Sequence, residues 1–400
     1  MARIKKTLRG VASSLGILKI YHLLFAWFPA VLYGHPSSKM VLVGITGTKG
    51  KTTVAELVTA ILVRAGEKVA LSSSYRFCIG EKSWINKMGN TMPGRGYIQR
   101  LLRMGVKEGC KYGVVEVVSE GVTQYRHKFL DFNIAVFTGL HPEHIESHGG
   151  FEKYREAKLD FFRDVKNNSK KHNKKFVINK NSEDGKYFAE VAGKDAIFYE
   201  KYDGELQIIG DFNKENAAAA TEVAKALGVR DEIIKGALAD FDGVPGRMDF
   251  VQETPFAVVV DYAHTPGSLE AAYGALKSDK GGLICVFGSD GGGRDKWKRP
   301  KLGEIASQYC RDLILTIENP YDEDPQKIVD EIRSGVRSDP PRIYEFLNRG
   351  DAIKKAIDIA KPGDAVIITG KGTEPFIRLA KGKKISWSDR DVAARALASK

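Results

Sequence analysis

A chain of 400 residues with 43% hydrophobic and 28% charged residues has the length of two or three domains and the composition of an ordinary globular protein. The four cysteines, Cys78, Cys110, Cys285 and Cys310, lie far apart, which excludes a zinc ribbon and predicts reduced thiols in a cytosolic protein. The net charge of +12 indicates an anionic partner: nucleic acid, a membrane surface or a substrate. Because no RNA-binding motif with interleaved aromatic residues accompanies the basic residues, we predict no nucleic-acid partner.

The first forty residues combine a basic start with an apolar stretch. Four basic residues precede Leu15–Tyr33, which Lys19, His22 and Pro29 interrupt. The stretch is too short for a membrane-spanning helix, which needs about 20 apolar residues. Two interpretations stay open: a helix in the headgroup layer of the inner membrane surface, or a helix packed on the protein itself.

A loop punctuated by glycine follows the next apolar run. Residues 41–53 read VLVGITGTKGKTT and precede an amphipathic segment, Val54–Arg64. A strand, a glycine loop and a helix N-terminus form a phosphate cradle, because backbone N–H groups and the helix dipole both favour an anion there. Lys51 is predicted to reach the β- and γ-phosphates and Thr52 to hold Mg²⁺, although Ile45 replaces the first glycine of the strict pattern. A nucleoside triphosphate site is favoured over a simple turn.

After this loop, short apolar runs alternate with helical patterns, which is typical of parallel α/β architecture. The predicted elements are strands at Tyr112–Val118, Phe132–Thr138 and Phe176–Asn179, a surface loop at Lys166–Lys175, a capped helix start at Asp211, and a domain boundary at Gly243–Arg247.

Four further strands are predicted beyond this boundary, and each ends in polar or glycine residues. They are Ala257–Asp261, Leu283–Gly288, Leu313–Glu318 and Ala365–Thr369. Ligands of open α/β sheets bind outside the carboxyl ends of the strands, so these four ends predict one crevice in a second doubly wound domain.

Acidic and histidine side chains suited to a metal follow the strands of the first domain. Glu116 ends an apolar strand, as an acid that holds Mg²⁺ does in phosphate-loop enzymes. His141, His144 and His148 have spacing that zinc would accept, but no cysteine joins them. We therefore favour His144 as a neighbour of Mg²⁺ and phosphate.

Lys158 shares a helical face with Tyr154, Phe161 and Phe162. An ammonium on such a face is costly unless it is paired or modified, and carbamylation would convert it to an anion suited to Mg²⁺. The alternative is a lysine that extends its charged end to the surface.

Taken together, these motifs resemble the Mur ligases, which form amide bonds with ATP in peptidoglycan precursor synthesis. The resemblance is strongest to the type that adds the third residue to UDP-MurNAc-L-Ala-D-Glu. The matching stretches are Gly44–Thr53, Thr91–Pro93, Glu116–Arg126, Phe137–Leu140 with His144 and His148, Tyr154 with Lys158, Phe212–Asn216, Gly243–Met248, Asp261–Pro266, Arg294–Pro300, Asn319–Pro320 and Gly370–Glu374.

The resemblance implies a role for individual residues. It implies catalytic roles for Lys51, His144 and Lys158. It implies that ATP is bound by Gly47, Thr48, Lys49, Gly50, Lys51, Thr52, Thr53, Asn216 (facing adenine), Arg247 and Asp261. Mg²⁺ would be held by Thr52, Glu116, His144 and carbamylated Lys158. The acceptor would meet Thr91, Ser119, Gln124 and Arg126, and the amino acid would meet Arg294, Asn319, Gly370 and Glu374.

Several positions depart from the family pattern. The usual N-terminal domain that holds the uridine nucleotide is not recognised in residues 1–40. The acceptor motif Ser-Ser-His reads Val118-Ser119-Glu120, the acid before the motif histidine is Glu143, and Thr373 replaces a histidine. The Asp-Asn-Pro-Arg of diaminopimelate users ends in Tyr321, so the expected Arg partner of the side-chain carboxylate is missing. Catalysis is expected to be intact, while both substrates stay open.

We therefore predict an α/β protein with a basic, amphipathic segment at 1–40, a central phosphate-loop ATPase domain with a mostly parallel sheet at 41–244, and a C-terminal dinucleotide-fold-like domain at 245–400. The expected reaction is ATP- and Mg²⁺-dependent ligation of a free amino acid to a muramyl-peptide-type acceptor through an acyl phosphate. The alternatives are a lipid-linked or other non-nucleotide acceptor, or a subunit that activates a carboxylate for a glutaminase. We expect a cytoplasmic monomer, and contact with the inner face of the membrane through residues 1–35 stays one of the two interpretations of that segment.

Overall fold

The computed structural model of the chain describes residues 16–94, 96–143, 145–277, 281–337 and 341–400. They form two compact units. The first unit comprises the described part of residues 1–140 with 152–206 and 214–241, and the second comprises 141–151, 207–213 and 242–400. His144, which the sequence places near Mg²⁺, lies outside the described residues.

The helices and strands alternate along most of the chain. The helices are α1 Ile17–Leu32, α2 Lys51–Arg64, α3 Tyr97–Lys107, α4 Ser119–Thr123, α5 Ile145–His148, α6 Phe151–Asn168, α7 Gly185–Ala192, α8 Asp211–Ala226, α9 Asp231–Ala239, α10 Pro266–Leu276, α11 Lys298–Tyr309, α12 Pro325–Arg333, α13 Arg349–Ile359 and α14 Asp389–Ala398. The strands are β1 Val41–Thr46, β2 Val69–Ser72, β3 Arg76–Ile79, β4 Lys82–Ile85, β5 Tyr112–Glu116, β6 Ile134–Phe137, β7 Lys175–Asn179, β8 Ala196–Tyr199, β9 Asp249–Gln252, β10 Ala257–Val260, β11 Leu283–Phe287, β12 Asp312–Leu315, β13 Arg342–Glu345, β14 Ala365–Ile368, β15 Phe376–Arg378 and β16 Lys384–Ser386.

The first unit is built on an eight-stranded sheet with the order β4-β3-β2-β5-β1-β6-β7-β8. Six neighbouring strands of this sheet run parallel, namely β2, β5, β1, β6, β7 and β8. Strands β3 and β4 add an antiparallel hairpin at one edge. The parallel strands other than the edge strand β8 are largely buried on both faces, as their continuous apolar sequences require. One face packs against apolar side chains of α2, α8 and α9, and the other carries a cluster of phenylalanine rings that includes Phe137, Phe162 and Phe188.

The second unit contains a six-stranded sheet with the order β13-β12-β11-β14-β10-β9. The four strands predicted from the sequence are neighbours in this sheet and run parallel, so their carboxyl ends meet at one edge. The α/β architecture predicted from the sequence is confirmed. Buried side chains fill both faces of the sheet, in two separate clusters.

Two smaller predictions need correction. The surface loop expected at Lys166–Lys175 is shorter, because α6 continues to Asn168 and β7 begins at Lys175. The expectation of four reduced cysteines is wrong for one pair: Cys285 on β11 and Cys310 after α11 form a disulfide, with their Cα atoms 6.0 Å apart. The spacing of the cysteines along the chain could not predict this pair, because α11 brings Cys310 back beside β11. Cys78 and Cys110 are free, as expected, and both are buried.

Helix α1 bears on the two interpretations of the N-terminal segment, a helix in the headgroup layer or a helix packed on the protein. It continues through Pro29, and only Pro29 and Ala30 of its sixteen residues are buried. It contacts α3 of the first unit, yet most of its apolar side chains are exposed. Among the described residues, no helix combines the length and apolar character needed to cross a membrane.

Candidate active site

The phosphate loop lies between β1 and α2 in the first unit. Gly50 caps the helix with a φ of 80°, a conformation that glycine adopts at little cost, and Lys51 is the first helical residue. The Lys51 ammonium folds back and donates to the backbone oxygens of Gly47, at 3.0 Å, and Thr48, at 2.7 Å. The α2 N-terminus and the Lys51 ammonium therefore meet at one loop, as an anion site requires.

Neighbouring side chains hold the loop in this shape. The Thr138 hydroxyl, directly after β6, donates to the Lys49 oxygen at 2.5 Å. Asn216 on α8 is buried, and a Cβ atom placed on Gly50 would collide with its Oδ1 atom. Asn216 thus lies against the loop, whereas its suggested contact with adenine stays a prediction. Thr138 was missed by sequence reasoning, although its place at the end of an apolar strand is a usable signal.

Glu116 lies at the end of β5, next to β1, and is fully buried. Its carboxylate accepts hydrogen bonds from the backbone N–H of Ser74, at 2.6 Å, and from the Ser74 hydroxyl, at 3.1 Å. The same hydroxyl forms a hydrogen bond of 2.9 Å with Thr91 Oγ1. Ser74 follows β2, whose neighbour in the sheet is β5, and this residue was not predicted from the sequence. Only the sheet order brings it beside Glu116.

Lys158 is buried on α6, so the alternative of a lysine that extends its charged end to the surface is wrong. Its ammonium donates to the Gly47 oxygen at 2.8 Å and lies 4.8 Å from the centre of the Tyr154 ring. The Tyr154 hydroxyl forms a hydrogen bond of 3.0 Å with Thr48 Oγ1. Lys158 and Tyr154 therefore both contact the phosphate loop.

The donors near the loop fit Mg²⁺ better than zinc. Thr52 and Glu116 offer oxygen atoms and are nearly or fully buried. Mg²⁺ is usually held by one or two protein oxygens together with substrate phosphates, so a closed protein cage is not needed. In the described parts of the chain, no three His, Cys, Asp or Glu side chains form a metal cluster. His144 lies outside these parts, so its role as a ligand stays a prediction.

A cavity of about 890 Å³ opens in the first unit. Its walls come from α1, α3, the segment after β4, and the segment around Arg126; they include Leu18, His22, Phe25, Met88, Asn90, Arg100, Glu120, Gln124, Arg126 and Lys128. Of the four residues expected to meet the acceptor, Gln124 and Arg126 line the cavity, whereas Thr91 and Ser119 do not.

Arg126 organises the polar wall of this cavity. Its guanidinium donates to the Met92 oxygen at 2.6 Å, to Asn90 Oδ1 at 3.3 Å and to Gln124 Oε1 at 2.6 Å. Burial lowers its pKa, and Glu120 opposes that change, but an arginine with a lowered pKa still carries its charge at neutral pH. Since Asn90 and Met92 flank Thr91 in the chain, a short series of contacts leads from Arg126 to Glu116.

In the second unit, Asp261 and Arg247 lie at the carboxyl end of β10. Asp261 is buried and accepts from the backbone N–H groups of Met248, at 2.8 Å, and Ala263, at 2.7 Å. Burial raises the pKa of Asp261, and the nearby Arg247 opposes this shift. The Arg247 guanidinium lies 4.3 Å from the centre of the Tyr262 ring. The two predicted ATP ligands of this domain are therefore near one another.

The residues predicted to meet the amino acid are brought together at the edge predicted from the strand ends. Asn319 Nδ2 donates to Asp290 Oδ1 at 2.8 Å and to Glu374 Oε2 at 3.0 Å, and the Arg294 guanidinium donates to Asp290 Oδ2 at 2.6 Å. Burial alone would raise the pKa of Asp290, but Arg294 and its other polar neighbours hold it below the usual value. Asp290 was missed by sequence reasoning, although it follows a predicted strand.

Two further residues complete this cluster. Lys371 is fully buried and its ammonium donates to Asn319 Oδ1 and Glu374 Oε2, at 2.9 and 2.7 Å. Gly370 lies directly against the Glu318 carboxyl group. Burial, and next the charge of Asp290, raise the pKa of Glu318 to about 7.

Tyr321 occupies the position at which diaminopimelate users are expected to have Arg. Its hydroxyl accepts a hydrogen bond of 3.1 Å from Arg294, whose guanidinium lies 5.4 Å from the centre of the Tyr321 ring. The aromatic ring therefore holds Arg294 from one side, while Asp290 pairs with it at Nη1.

Two family models match the chain. Residues 45–224 match the Mur ligase middle domain, and residues 246–372 match the Mur ligase glutamate ligase domain. The chain belongs to the Mur ligase family. Members of this family are ATP-dependent acid–amino acid ligases, so the protein is a carbon–nitrogen ligase.

Curated relatives in the Mur ligase family match over most of their length. A UDP-N-acetylmuramoyl-L-alanyl-D-glutamate–2,6-diaminopimelate ligase of Aquifex aeolicus is 36% identical over 91% of this chain and 79% of its own. A UDP-N-acetylmuramyl-tripeptide synthetase of Roseiflexus is 35% identical, over 92% of this chain and 81% of its own.

Solved structures of Mur ligases and related enzymes have the same fold. The structure of a UDP-N-acetylmuramoyl-L-alanyl-D-glutamate–2,6-diaminopimelate ligase is 27% identical in sequence, with a TM-score of 0.60, and the match covers 90% of this chain and 78% of that chain. The folylpolyglutamate synthase of Mycobacterium tuberculosis covers 96% of this chain and 98% of its own, with a TM-score of 0.69. At 15% identity, that second likeness concerns the fold alone.

Proposed function

We propose that this Mur ligase adds a free amino acid to a muramyl-peptide-type acceptor in peptidoglycan precursor synthesis. The names of the relatives support this choice, since they describe ligases and synthetases of UDP-N-acetylmuramyl peptides. The observation that carries the proposal is the arrangement of the first unit, in which Lys51 and Lys158 contact a phosphate loop and the cavity of Arg126 is linked by contacts to Glu116.

The reaction has two steps. The acceptor carboxylate attacks the γ-phosphorus of ATP, the bond to the β,γ-bridging oxygen breaks, and ADP leaves. The amine of the amino acid then attacks the acyl phosphate carbon, loses a proton and expels inorganic phosphate, which leaves an amide. Phosphoryl transfer depends mostly on positioning and charge neutralisation, and we assign these tasks to the α2 N-terminus and Lys51.

ATP and Mg²⁺ are the proposed cofactors. Bound Mg²⁺ would neutralise phosphate charge, and Thr52 and Glu116, with His144 and a carbamate on Lys158, are its proposed ligands. The phosphate loop from Gly47 to Thr53 would bind the triphosphate. Asn216, Arg247 and Asp261 are proposed to complete the nucleotide site.

The remaining contacts are assigned to the two substrates. We propose that Gln124 and Arg126, with Thr91 and Ser119, bind the acceptor. Arg294, Asn319, Gly370 and Glu374 are proposed to meet the incoming amino acid. The clustering of the second group around Asp290 supports this assignment.

The proposed organisation keeps a central ATPase domain at 41–244 and a C-terminal domain at 245–400. The span of the two family models supports this division. We further propose a monomer that works in the cytoplasm at the inner face of the membrane, with residues 1–35 as the contact. The exposed apolar side chains of α1 support that contact.

A substrate panel tests the proposal. Phosphate release from ATP is measured with muramyl dipeptide acceptors and with each of several amino acids, and the amide product is identified by mass spectrometry. We expect phosphate release to require Mg²⁺, an acceptor and an amino acid together. Phosphate release without an amide, or an amide only on acceptors without a muramyl group, would contradict the proposed function.

A further inference from the structure

One face of helix α1 is turned toward the rest of the first unit. Leu18, His22 and Ala26 recur every fourth residue and line the cavity, and Pro29 and Ala30 are buried further along. This face therefore forms one wall of the cavity that Arg126 also lines.

The opposite face of α1 is apolar and exposed. Ile20, Leu24, Phe28 and Leu32 also recur every fourth residue and are 54–62% exposed. The offset of two residues from the first series turns these side chains by about 200°, to the far side of the helix. The sixteen residues of α1 hold ten of the twenty large hydrophobic residues that are exposed in the described parts of the chain. Such a concentration marks an interaction surface.

The charge of the N-terminal sequence favours an anionic bilayer as the partner of this face. The first forty residues contain no aspartate or glutamate, and their basic residues are Arg3, Lys5, Lys6, Arg9, Lys19 and Lys39. A helix with exposed aromatic and aliphatic side chains, in a segment whose sequence has basic and no acidic residues, is suited to lie in the headgroup layer of anionic lipid. The absence of a helix long enough to span, in the described residues, agrees with a position along the surface.

The cavity has the apolar helix α1 as one of its walls. Polar side chains line its inner wall, namely Asn90, Gln124 and Arg126. Contacts through Thr91 and Ser74 lead from that wall to Glu116, beside the proposed reaction centre. A ligand in the cavity thus contacts α1 on one side and, on another, polar side chains that are connected to Glu116.

We infer that the acceptor of this ligase is an amphiphile: a muramyl peptide whose anionic head is linked to a lipid chain and is presented at an anionic bilayer. Its polar head lies in the cavity of Arg126, and α1 lies in the bilayer interface beside the lipid chain. The inference rests on the proposed function, and it names the acceptor of the same site.

The test compares one muramyl dipeptide in two forms with the full chain. In the first form the dipeptide is linked through a diphosphate to a long-chain lipid alcohol, in vesicles with about one third phosphatidylglycerol. In the second it is linked through a diphosphate to uridine, in solution. The variant Leu24→Glu/Phe28→Glu places charges on the exposed face, and Phe198→Glu is the matched control, since Phe198 is 51% exposed on the edge strand β8.

We expect the wild type to turn over the vesicle-borne acceptor at least about tenfold faster than the uridine-linked one. The double variant should lose at least about tenfold of its vesicle binding and vesicle-borne turnover, because the apolar contact is removed. It should keep the wild-type rate on the soluble acceptor, which also shows that it folds. The Phe198→Glu control should match the wild type in all assays.

Other outcomes overturn the inference. Faster turnover of the uridine-linked acceptor, with no effect of the double variant on vesicle-borne turnover, refutes it while the proposed function survives. A dimer that only the double variant disrupts, with vesicle-borne turnover unchanged, assigns the apolar face to a second copy of the chain and also refutes it. No turnover with either acceptor contradicts the proposed function, and the inference fails with it.

Discussion

Lys51 is the residue for which local geometry gives the most direct prediction. Its ammonium lies on the phosphate loop at the N-terminus of α2. Removing one preorganised charge from a phosphoryl-transfer site lowers kcat by about 100- to 1000-fold. We therefore expect Lys51→Ala to lower phosphate release by that factor with an unchanged circular dichroism spectrum. Lys180→Ala, which removes an exposed surface ion pair with Glu200, is the control. Undiminished turnover of Lys51→Ala would refute the assignment.

Lys158 leads to a prediction about covalent chemistry. A buried lysine beside the phosphate loop is well placed to react with carbon dioxide and provide an oxygen ligand. We expect Lys158→Ala to be inactive and to recover in part with short-chain carboxylic acids, which replace the lost oxygens. Lys166→Ala on the same helix, where Lys166 pairs with Asp195, should stay active. Carbon-13 NMR with labelled bicarbonate should detect the carbamate, and a plain amine in the active, Mg²⁺-loaded protein would contradict it.

At the scale of elements, we expect the loop after β12 to determine which amino acid is favoured. Tyr321 cannot form the bidentate pair that an arginine makes with a carboxylate. We expect weak preference for meso-diaminopimelate over lysine, ornithine or smaller amino acids. The variant Tyr321→Arg should raise the relative kcat/KM for meso-diaminopimelate by about tenfold or more, the worth of one charged pair. Tyr321→Phe is the control that keeps the ring.

Exclusive use of meso-diaminopimelate by the wild type would show that the prediction from Tyr321 is wrong. Kinetics with the wild type and both variants on the same amino acids give this answer directly.

Helices and strands with a clear hydrophobic period were predictable from the sequence, whereas contacts between residues distant in the chain were not. The apolar runs of β10, β11, β12 and β14 predicted a shared edge, because parallel strands need crossovers. The spacing of α6 predicted that Lys158 shares a face with aromatic residues, and the structure decides for burial over extension to the surface. In contrast, the hairpin of β3 and β4 has short strands with mixed polarity, so it gave no usable period.

The same limit applies to the site. Ser74 reaches Glu116 only because β2 and β5 are neighbours in the sheet, and the pairing of Cys285 with Cys310 depends on how α11 returns to the sheet. Local sequence patterns do not specify such pairings. Asp290 is different, since its position after a predicted strand was a signal that could have been used.

At the scale of the whole molecule, Glu318 predicts how stability varies with pH. Its pKa of about 7 in the fold is above its ordinary 4.5, so the fold favours the protonated carboxyl group. The stabilisation is fully present below pH 4.5 and is lost as the pH rises through 7. Between about pH 5 and about pH 8 the free energy of unfolding should therefore fall by up to about 3 kcal/mol from this group.

The variant Glu318→Gln cannot titrate and isolates this contribution. Its free energy of unfolding, measured with denaturant by near-ultraviolet circular dichroism, should fall less than that of the wild type over the same pH range. A constant difference between the two proteins across the range would contradict the assignment.

The exposed face of α1 also has a consequence for the acceptor concentration on which the ligation rate depends. If the acceptor is reached at a bilayer, the rate depends on the number of acceptor molecules per unit of lipid area and not on their number per volume. Adding acceptor-free lipid, at fixed total acceptor and protein, should then slow ligation by surface dilution, and the rate on a soluble acceptor should be unaffected. Synthesis of the precursor would be coupled to the amount of membrane that the cell has made.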